Sequence, residues 1–184
     1  MRLVVAVTGA SGSIYAYNFL EAAKSHGIET HLIVTEAGKT VARHELGDVE
    51  QLTALADFTY EPQDLEAPLA SGSFRVDGMV IVPATMKTVA ALAHGYNNNL
   101  VTRAADVHLK ERMPLVVVPR ETPLHAIHLE NMAQLSRLGA VILPAMPGFY
   151  HHPESVDDLA SFISGKILDQ LGVPNKLYRR WGEP

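Results

Sequence analysis

The sequence RAADVHLKERMPLVVVPRETP, residues 103–123, decides the predicted fold of this chain. It runs from a basic segment through the apolar stretch 115–118 to a charged loop. A short, mostly β-branched run is typical of a strand covered on both faces of a parallel sheet. Ligands of open α/β sheets bind just beyond the carboxyl ends of the strands, which is where Arg120 and Glu121 lie. Arg103 and Lys110 add positive charge before this strand, and together these cations indicate an anionic ligand, although a solvated helix face and an ordinary loop would give the same pattern.

The composition predicts one domain over residues 1–184. The chain has 184 residues and a hydrophobic fraction of 47%, enough for a substantial core. Its formal net charge of -5 argues against nonspecific nucleic-acid binding, but it allows a local cationic pocket. The absence of cysteine excludes disulfides, thiolate metal ligands and a cysteine nucleophile. The apolar run 3–7 is too short for a signal peptide or a membrane span, so we expect a cytoplasmic protein with no membrane association.

The first strand is predicted to end at a phosphate-binding turn. The apolar run 3–7 is followed directly by TGASGS at 8–13, and helical spacing begins at Ile14. A glycine-rich turn between a strand and a helix lets backbone N–H groups approach an anion at the positive end of the helix dipole. The alternative is a tight turn that needs glycine for its geometry alone.

Further strands and helices alternate after this turn. A strand at 29–34 precedes a helix at 37–46 that Thr35 is suited to cap, and Glu45 lies near the end of that helix, within possible reach of the first turn. The strand 78–83 leads into a helix whose start, Thr85 to Thr88, again favours an anion. Residues 48–73 are weakly patterned and are interpreted as a short helix plus a loop. The remaining predicted elements are helices at 100–111, 125–138 and 155–171 and strands at 115–118 and 141–143.

This alternation predicts a doubly wound α/β fold with a mostly parallel sheet of five or six strands. The glycine turn would also suit a short-chain nicotinamide dehydrogenase, but none of the six tyrosines has a lysine four residues later, as that chemistry requires.

The nine histidines raise the question of a metal site, since His125 and His128 are one turn apart and His151 is beside His152. Neither pair belongs to a recognisable ligand pattern, so we expect no metal.

Eight motifs carry a resemblance to one family along nearly the whole chain. They are TGASG at 8–12, ASGSF at 70–74, GMVI at 78–81, RAADV at 103–107, LKER at 109–112, PRETPL at 119–124, IHLENM at 127–132 and PGFY at 147–150. In this order they make the chain similar to the UbiX/Pad-type flavin prenyltransferases. The resemblance implies a Rossmann-like or flavodoxin-like three-layer sandwich.

The resemblance also implies an activity. Members of the family transfer a dimethylallyl group from dimethylallyl phosphate to reduced FMN, without a metal, at N5 and then C6 of the ring system. The product, prenylated FMN, is the cofactor of UbiD-type decarboxylases, which would be the partner. The family further implies a homo-oligomer built from trimers, up to a dodecamer, with sites between subunits.

Site residues follow from the family motifs. Those implied to hold FMN are Gly9, Ala10, Ser11, Thr35, Thr85, Met86, Lys87, Thr88 and Arg120. Those implied to hold the prenyl phosphate are Arg103, Lys110, Tyr150 and Lys166. Glu121, with Ser11 and Glu45, would manage protons, and Lys110 would also act in catalysis.

The chain departs from the family pattern at several positions. Lys166 stands where many members have arginine, and a lysine cannot form the bidentate fork that favours one phosphate donor over another. Ala84 replaces a frequent cysteine, Thr35 a frequent serine, and Leu65 a tryptophan found in some members. Two other functions stay open from the sequence: a related FMN-dependent cysteinyl decarboxylase, and a noncatalytic FMN-binding subunit of a decarboxylase complex.

Overall fold

Strands and helices alternate along residues 1–182, the part of the chain that the computed structural model describes. The strands are β1 (Arg2–Val7), β2 (Glu29–Val34), β3 (Phe58–Tyr60), β4 (Gly78–Ala84), β5 (Leu115–Pro119) and β6 (Val141–Ile142). The helices are α1 (Ser13–Ser25), α2 (Glu36–Leu46), α3 (Glu50–Thr53), α4 (Met86–Ala93), α5 (Leu100–Glu111), α6 (Ala126–Arg137) and α7 (Val156–Gln170), with a 3₁₀ helix at Pro68–Ala70. Residues 183–184 of the predicted domain lie outside the described residues.

The six strands form one sheet in the order β3-β2-β1-β4-β5-β6. Every neighbouring pair is parallel. The chain winds outward in one direction from β1 and in the other from β4, so the switch point lies between the carboxyl ends of these two strands. This arrangement confirms the predicted doubly wound fold, and it opens a crevice at the edge where ligands of such sheets bind.

Alternate side chains of the strands divide the core into two layers. Val5 of β1 packs into a cluster with residues of α1, α2, α3 and α7. Its neighbour Val4 points the other way, into a cluster with residues of α4, α5 and α6. Successive strand residues face opposite sides of the sheet, and each helix packs on one of these two sides. A functional side chain on a helix therefore lies in the layer to which that helix belongs.

Local capping signals locate the helix starts well. Thr35 accepts a hydrogen bond from the N–H of Gly38, as its predicted capping role requires. Ser155 and Asp158 form a reciprocal capping box at the start of α7. Within residues 1–182, no helix is both long and apolar enough to cross a bilayer.

The edge strand β3 and the 3₁₀ helix lie within residues 48–73, where the sequence predicts only a short helix and a loop. The three residues of β3 are too few to show a period of two. The strand is held by tertiary contacts with His31 of β2, which is 3% exposed. The imidazole stacks on Phe58 at 4.7 Å between ring centroids, and its Nδ1 is 2.9 Å from the hydroxyl of Tyr60.

Candidate active site

The carboxyl ends of β1 and β4 are joined by the hydroxyl of Thr8. This buried hydroxyl donates to the carbonyl of Pro83 at 2.8 Å and accepts from the N–H of Thr85 at 2.8 Å. Thr85 in turn caps α4, its Oγ1 accepting from the N–H of Thr88 at 3.2 Å. The glycine turn and the start of α4 are therefore fixed relative to each other at the carboxyl edge of the sheet.

Gly9 allows α2 to approach the turn. A Cβ atom at this position would lie 2.5 Å from the Cβ of Ala37, closer than two such atoms can come. Gly12, the residue before α1, has a φ of 114°, a conformation that side chains other than hydrogen rarely tolerate. The two glycines are thus required by close approach and by backbone geometry.

A cavity of about 340 Å³ lies in this crevice. Five of the nine residues predicted to bind FMN line it: Gly9, Thr35, Thr85, Lys87 and Thr88. Its lining offers hydroxyl groups, one ammonium group and the N-terminus of α4, and this donor set suits a phosphorylated ligand. The other four predicted FMN residues, Ala10, Ser11, Met86 and Arg120, are outside its lining.

The carboxylate of Glu45 reaches from the end of α2 to the start of α1. It accepts hydrogen bonds from the N–H groups of Gly12 at 2.9 Å and Ser13 at 2.7 Å. Burial acts to raise the pKa of Glu45, but hydrogen bonds from the Ser11 hydroxyl and from these two N–H groups outweigh it and hold the pKa below its usual value. Glu45 is therefore an anion that stabilises the turn and orients the hydroxyl of Ser11, as its predicted association with Ser11 requires.

Arg120 connects the end of β5 to the same turn. Its Nε donates to the carbonyl of Ser11 at 2.9 Å, and its own N–H bonds the carbonyl of Ala84 at 3.2 Å. Its positive charge also lowers the pKa of Tyr15, although burial of that phenol is the larger effect and leaves the pKa raised overall. The neighbouring Glu121 is exposed, and its carboxylate accepts from the N–H of Thr122 at 3.1 Å. Arg120 and Glu121 thus lie just beyond the carboxyl end of β5, but neither lines the cavity.

Arg103 and Lys110 lie one above the other along α5. The Nε of Arg103 donates to the carbonyl of Ala70 at 3.0 Å, and its Nη1 pairs with Asp106 at 3.1 Å. The ammonium group of Lys110 pairs with Glu111 and lies close to Gly72, where an added Cβ would be 3.1 Å from it. The small residues 70–73 therefore lie against the side chains of Arg103 and Lys110.

Tyr150 and Lys166 belong to the other layer of the molecule. Tyr150 packs against the core that α1 and α7 share, with its ring 5.9 Å from that of Phe162. Lys166 projects from α7, whereas Arg103 and Lys110 are on α5, which packs on the opposite face of the sheet. Within one chain, the four predicted phosphate ligands are therefore divided between the two layers.

Seven cavity-lining residues were not among the predicted site residues: Thr8, Glu36, Ala37, Pro62, Gln63, Asn98 and Asn99. The carbonyl of Pro62 accepts from the N–H of Leu100, at 2.8 Å, which holds the loop before the 3₁₀ helix against the start of α5. Asn99 caps α5 through a reciprocal capping box with Thr102. The run of asparagines ahead of a helix was the available signal, since asparagine is a preferred N-cap residue.

The histidine pairs do not assemble into a metal site. The rings of His125 and His128 stack at 3.5 Å between centroids. His151 stacks on Phe162 at 5.2 Å. Among the side chains of residues 1–182, no three histidines or carboxylates group as metal ligands.

Comparisons with known proteins identify the family. Residues 1–168 match the model of the family described as Flavoprotein. A flavin prenyltransferase UbiX of Methanothermobacter thermautotrophicus is 51% identical over 180 residues, covering 97% of this chain and 94% of the relative. The chain belongs to the UbiX-type flavin prenyltransferases. The family predicted from the sequence is thereby confirmed.

Two solved structures of UbiX-type proteins share the fold closely. AnUbiX (PadA1), in complex with FMN and dimethylallyl pyrophosphate, is 42% identical with a TM-score of 0.97, covering 100% of this chain and 98% of that one. A dodecameric FMN-dependent Ubix-like decarboxylase from Escherichia coli O157:H7 is 46% identical with a TM-score of 0.95, covering 98% and 99%. These UbiX-type relatives support the flavodoxin-like fold and FMN as the flavin of the family.

Proposed function

We propose that this protein transfers a dimethylallyl group from dimethylallyl phosphate to reduced FMN, forming bonds at N5 and then C6 and releasing phosphate and a proton. The observation that carries the proposal is the hydrogen-bonded chain from Arg120 through Ser11 to Glu45, at the turn whose Gly9 lines the cavity. This chain puts a fixed cation and a fixed carboxylate at the sheet edge where ligands of open α/β folds bind.

FMN would be held by the predicted set of residues, and the donors around the cavity fit it. The hydroxyls of Thr85 and Thr88 lie 3.0 Å apart at the start of α4 and present polar edges to the cavity. Lys87, which is exposed, adds a charge for a phosphate or an acidic ring atom. When bound, reduced FMN supplies the nucleophilic nitrogen, and the residues of this chain position it.

The prenyl phosphate would be bound by Arg103, Lys110, Tyr150 and Lys166. Breaking an allylic C–O bond places negative charge on the departing phosphate, so cations fixed at that position lower the barrier. The two pairs occupy opposite layers of one chain. We propose that neighbouring subunits of a homo-oligomer, built from trimers and reaching up to a dodecamer, bring them together. Exposed apolar side chains support such assembly, among them Ile127 at 61%, Phe149 at 70% and Val156 at 66%.

Proton handling would fall to Glu121, Ser11 and Glu45. Glu121 is exposed at the end of β5 and makes only a local backbone hydrogen bond, so it is free to turn toward a ligand. Formation of the N5 bond would release the N5 proton to the departing phosphate, which accepts a proton readily near neutral pH. At ring closure the prenyl double bond would gain a proton and C6 would lose one, and Glu121 would relay the proton lost from C6. Glu45, an anion held by α1, would keep the hydroxyl of Ser11 oriented during that transfer.

The decisive test uses purified protein with reduced FMN and dimethylallyl phosphate or diphosphate, in the presence of a metal chelator. We expect mass spectrometry to show a flavin heavier by one prenyl unit. An unchanged flavin mass with both donors would refute the proposal and leave the noncatalytic FMN-binding role. Release of carbon dioxide from a cysteinyl peptide would favour the decarboxylase alternative instead.

Two variants assign roles within this test. We expect Lys110→Ala and Glu121→Gln to bind FMN as the wild type does while prenyl transfer slows about 10–100-fold, since each loses one charge-assisted contact worth roughly 1.5–3 kcal/mol. Loss of FMN binding in both would mean that they belong to the flavin site. Lys166→Arg would restore the bidentate fork, and the ratio of rates with mono- and diphosphate donors reports its effect.

We also propose that the product passes to a UbiD-type decarboxylase, and that both act in the cytoplasm. A chain without cysteine has no disulfides that a reducing cytoplasm would break. The proposed flavin substrate must also be in its reduced form. Mixing the reaction products with an apo-decarboxylase of this type and measuring carbon dioxide release tests the partnership.

A further inference from the structure

The end of the described chain reaches the side chain of Tyr150. The indole of Trp181 packs edge-on against the phenol of Tyr150, with ring centroids 5.5 Å apart and an interplanar angle of 88°. The opposite edges of Trp181 are open, since the residue is 82% exposed. The segment 175–182, here called the C-terminal strap, thus carries an aromatic ring onto a residue proposed to bind the prenyl phosphate.

One carboxylate near the end of α7 holds the C-terminal strap. Asp169 receives two hydrogen bonds from the guanidinium of Arg180, at 2.7 and 3.0 Å. It also accepts from the hydroxyl of Tyr178 at 2.8 Å and from the amide of Asn175 at 2.9 Å. Three side chains from the strap therefore converge on one anion, and a bidentate arginine pair gives this attachment a defined geometry.

The ionisation states suit this network at neutral pH. The hydrogen bonds from Arg180 hold the pKa of Asp169 below its usual value. Burial, together with the hydrogen bond to Asp169, raises the pKa of Tyr178 to about 12. The acceptor is therefore charged and the phenol keeps its proton, so every contact in the network is made between matched groups.

A glycine in α7 makes room for the strap. A Cβ at Gly165 would lie 2.6 Å from Cδ1 of Tyr178 and 2.9 Å from Oδ1 of Asn175. The amide of Asn175 also donates to the carbonyl of Gly165 at 3.2 Å. Glycine inside a helix lowers helix stability by about 0.5–1 kcal/mol relative to alanine. Gly165 therefore destabilises α7 slightly but leaves the space that the strap occupies.

The docked strap forms one side of a cavity of about 910 Å³ beside Tyr150. His151 and Asp158, from the region that follows Tyr150, line the other side. The strap contributes three cationic residues to the lining, Lys176, Arg179 and Arg180. Docking therefore brings an aromatic ring onto Tyr150, and it adds cationic residues to a neighbouring cavity that also contains the carboxylates of Glu154 and Asp158.

We propose that the C-terminal strap is a positioning element for the prenyl phosphate, with Asp169 and Trp181 as positioning residues that fix the ring of Tyr150. The inference rests on the proposed role of Tyr150. A fixed phenol offers its hydroxyl to phosphate without the entropic cost of ordering the ring on binding, so loosening the strap should weaken donor binding more than it slows the chemical step.

Trp181 is the one tryptophan of the sequence, so its fluorescence reports directly on the strap. The experiment uses FMN-loaded protein titrated with dimethylallyl phosphate, with inorganic phosphate as a second probe. We expect Asp169→Asn and Gly165→Ala to change the intensity of the tryptophan emission and lower its anisotropy, because the indole loses its packing against Tyr150. Both should raise the KM for dimethylallyl phosphate about ten-fold, a difference of about 1.4 kcal/mol, with kcat changed less than about two-fold.

Two further variants separate positioning from general stability. Trp181→Ala should raise the KM as Asp169→Asn does, and Trp181→Phe, which keeps an aromatic edge against Tyr150, should recover most of the affinity. Asp157→Asn is the matched control, because it makes the same carboxylate-to-amide change on α7 at a residue without a described contact to the strap. We expect it to leave emission and KM as in the wild type.

The outcomes are distinct. A changed emission with an unchanged KM in Asp169→Asn and Gly165→Ala would overturn the inference, and so would an unchanged emission in both. If the wild type makes no prenylated flavin, the proposed function fails. The fluorescence titration then still measures whether dimethylallyl phosphate binds at Tyr150 and whether the strap affects its dissociation constant.

Discussion

The Nε of Arg120 donates a hydrogen bond of 2.9 Å to the carbonyl oxygen of Ser11, which is 109 residues earlier in the chain. This bond connects the end of β5 to the glycine turn after β1. The same turn is held from its other side by Glu45, through the N–H groups of Gly12 and Ser13. The proposed flavin site is thus positioned by one cation and one anion that act on the same short loop.

Replacing Arg120 with lysine keeps the charge but removes the Nε contact to Ser11. Since a hydrogen bond to a charged group contributes roughly 1.5–3 kcal/mol, we expect prenyl transfer to slow about 10–100-fold. Single-turnover formation of prenylated flavin measures this effect. Arg137→Lys, an exposed change at the end of α6, is the control, and equal rates in the two variants would contradict the positioning role of Arg120.

Gly9→Ala should weaken FMN binding by about 5–150-fold. The added methyl group would lie 2.5 Å from the Cβ of Ala37, and overpacking of this kind typically costs 1–3 kcal/mol, which the turn can relieve only by moving away from α2. The double variant Gly9→Ala, Ala37→Gly removes the closest clash and should recover part of the affinity. Flavin fluorescence titration measures both. The single variant Ala37→Gly measures how loss of the alanine side chain alone changes FMN affinity. Wild-type FMN affinity in Gly9→Ala would refute the close-approach argument.

Asn99→Ala should lower the free energy of unfolding by about 0.5–2 kcal/mol, because the buried side chain caps α5 through Thr102. The same helix carries Arg103 and Lys110, so the midpoint of donor binding should shift as well. Asn97→Ala provides a control from the same run of asparagines, since that residue is exposed. Urea unfolding of the two variants should separate them clearly, and equal midpoints would mean that the cap contributes little.

The contribution of Glu45 to stability should depend on pH. Its folded-state pKa lies below the ordinary value of 4.5, so its stabilising interactions are complete above about pH 4.5 and are lost as the pH falls through the folded-state pKa. We expect Glu45→Gln to lower the free energy of unfolding at pH 7 by roughly 0.3–1 kcal/mol, the usual strength of a carboxylate at a helix N-terminus. The difference from the wild type should shrink at pH 3.

The control for this measurement is Glu130→Gln, an exposed change on α6. It should follow the wild type at both pH values. A Glu45→Gln difference that grows on acidification would mean that the carboxylate is protonated in the folded protein and does not act as an anionic cap.

The extent to which sequence predicted structure varies with the range of the interaction. Helix starts at Thr35, Thr85 and Ser155 were predictable because each cap bonds a backbone N–H three residues later. The strand β3 was not predictable, since its three residues are held by His31 of a neighbouring strand. Cavity residues such as Gln63 were missed for the same reason, because the segment carrying them is placed by contacts distant in sequence.

The amino-acid sequence by itself determined the alternation of strands and helices, the glycine turn, the helix caps and, through its motifs, the family, because propensity, periodicity and capping act over a few residues. Only the tertiary structure decided which face of the sheet each helix covers. The covered face depends on the direction in which the chain adds the next strand to the sheet. This direction reverses at the switch point between β1 and β4. The tertiary structure placed Arg103 and Lys110 in one layer and Tyr150 and Lys166 in the other, and it brought Trp181 onto Tyr150.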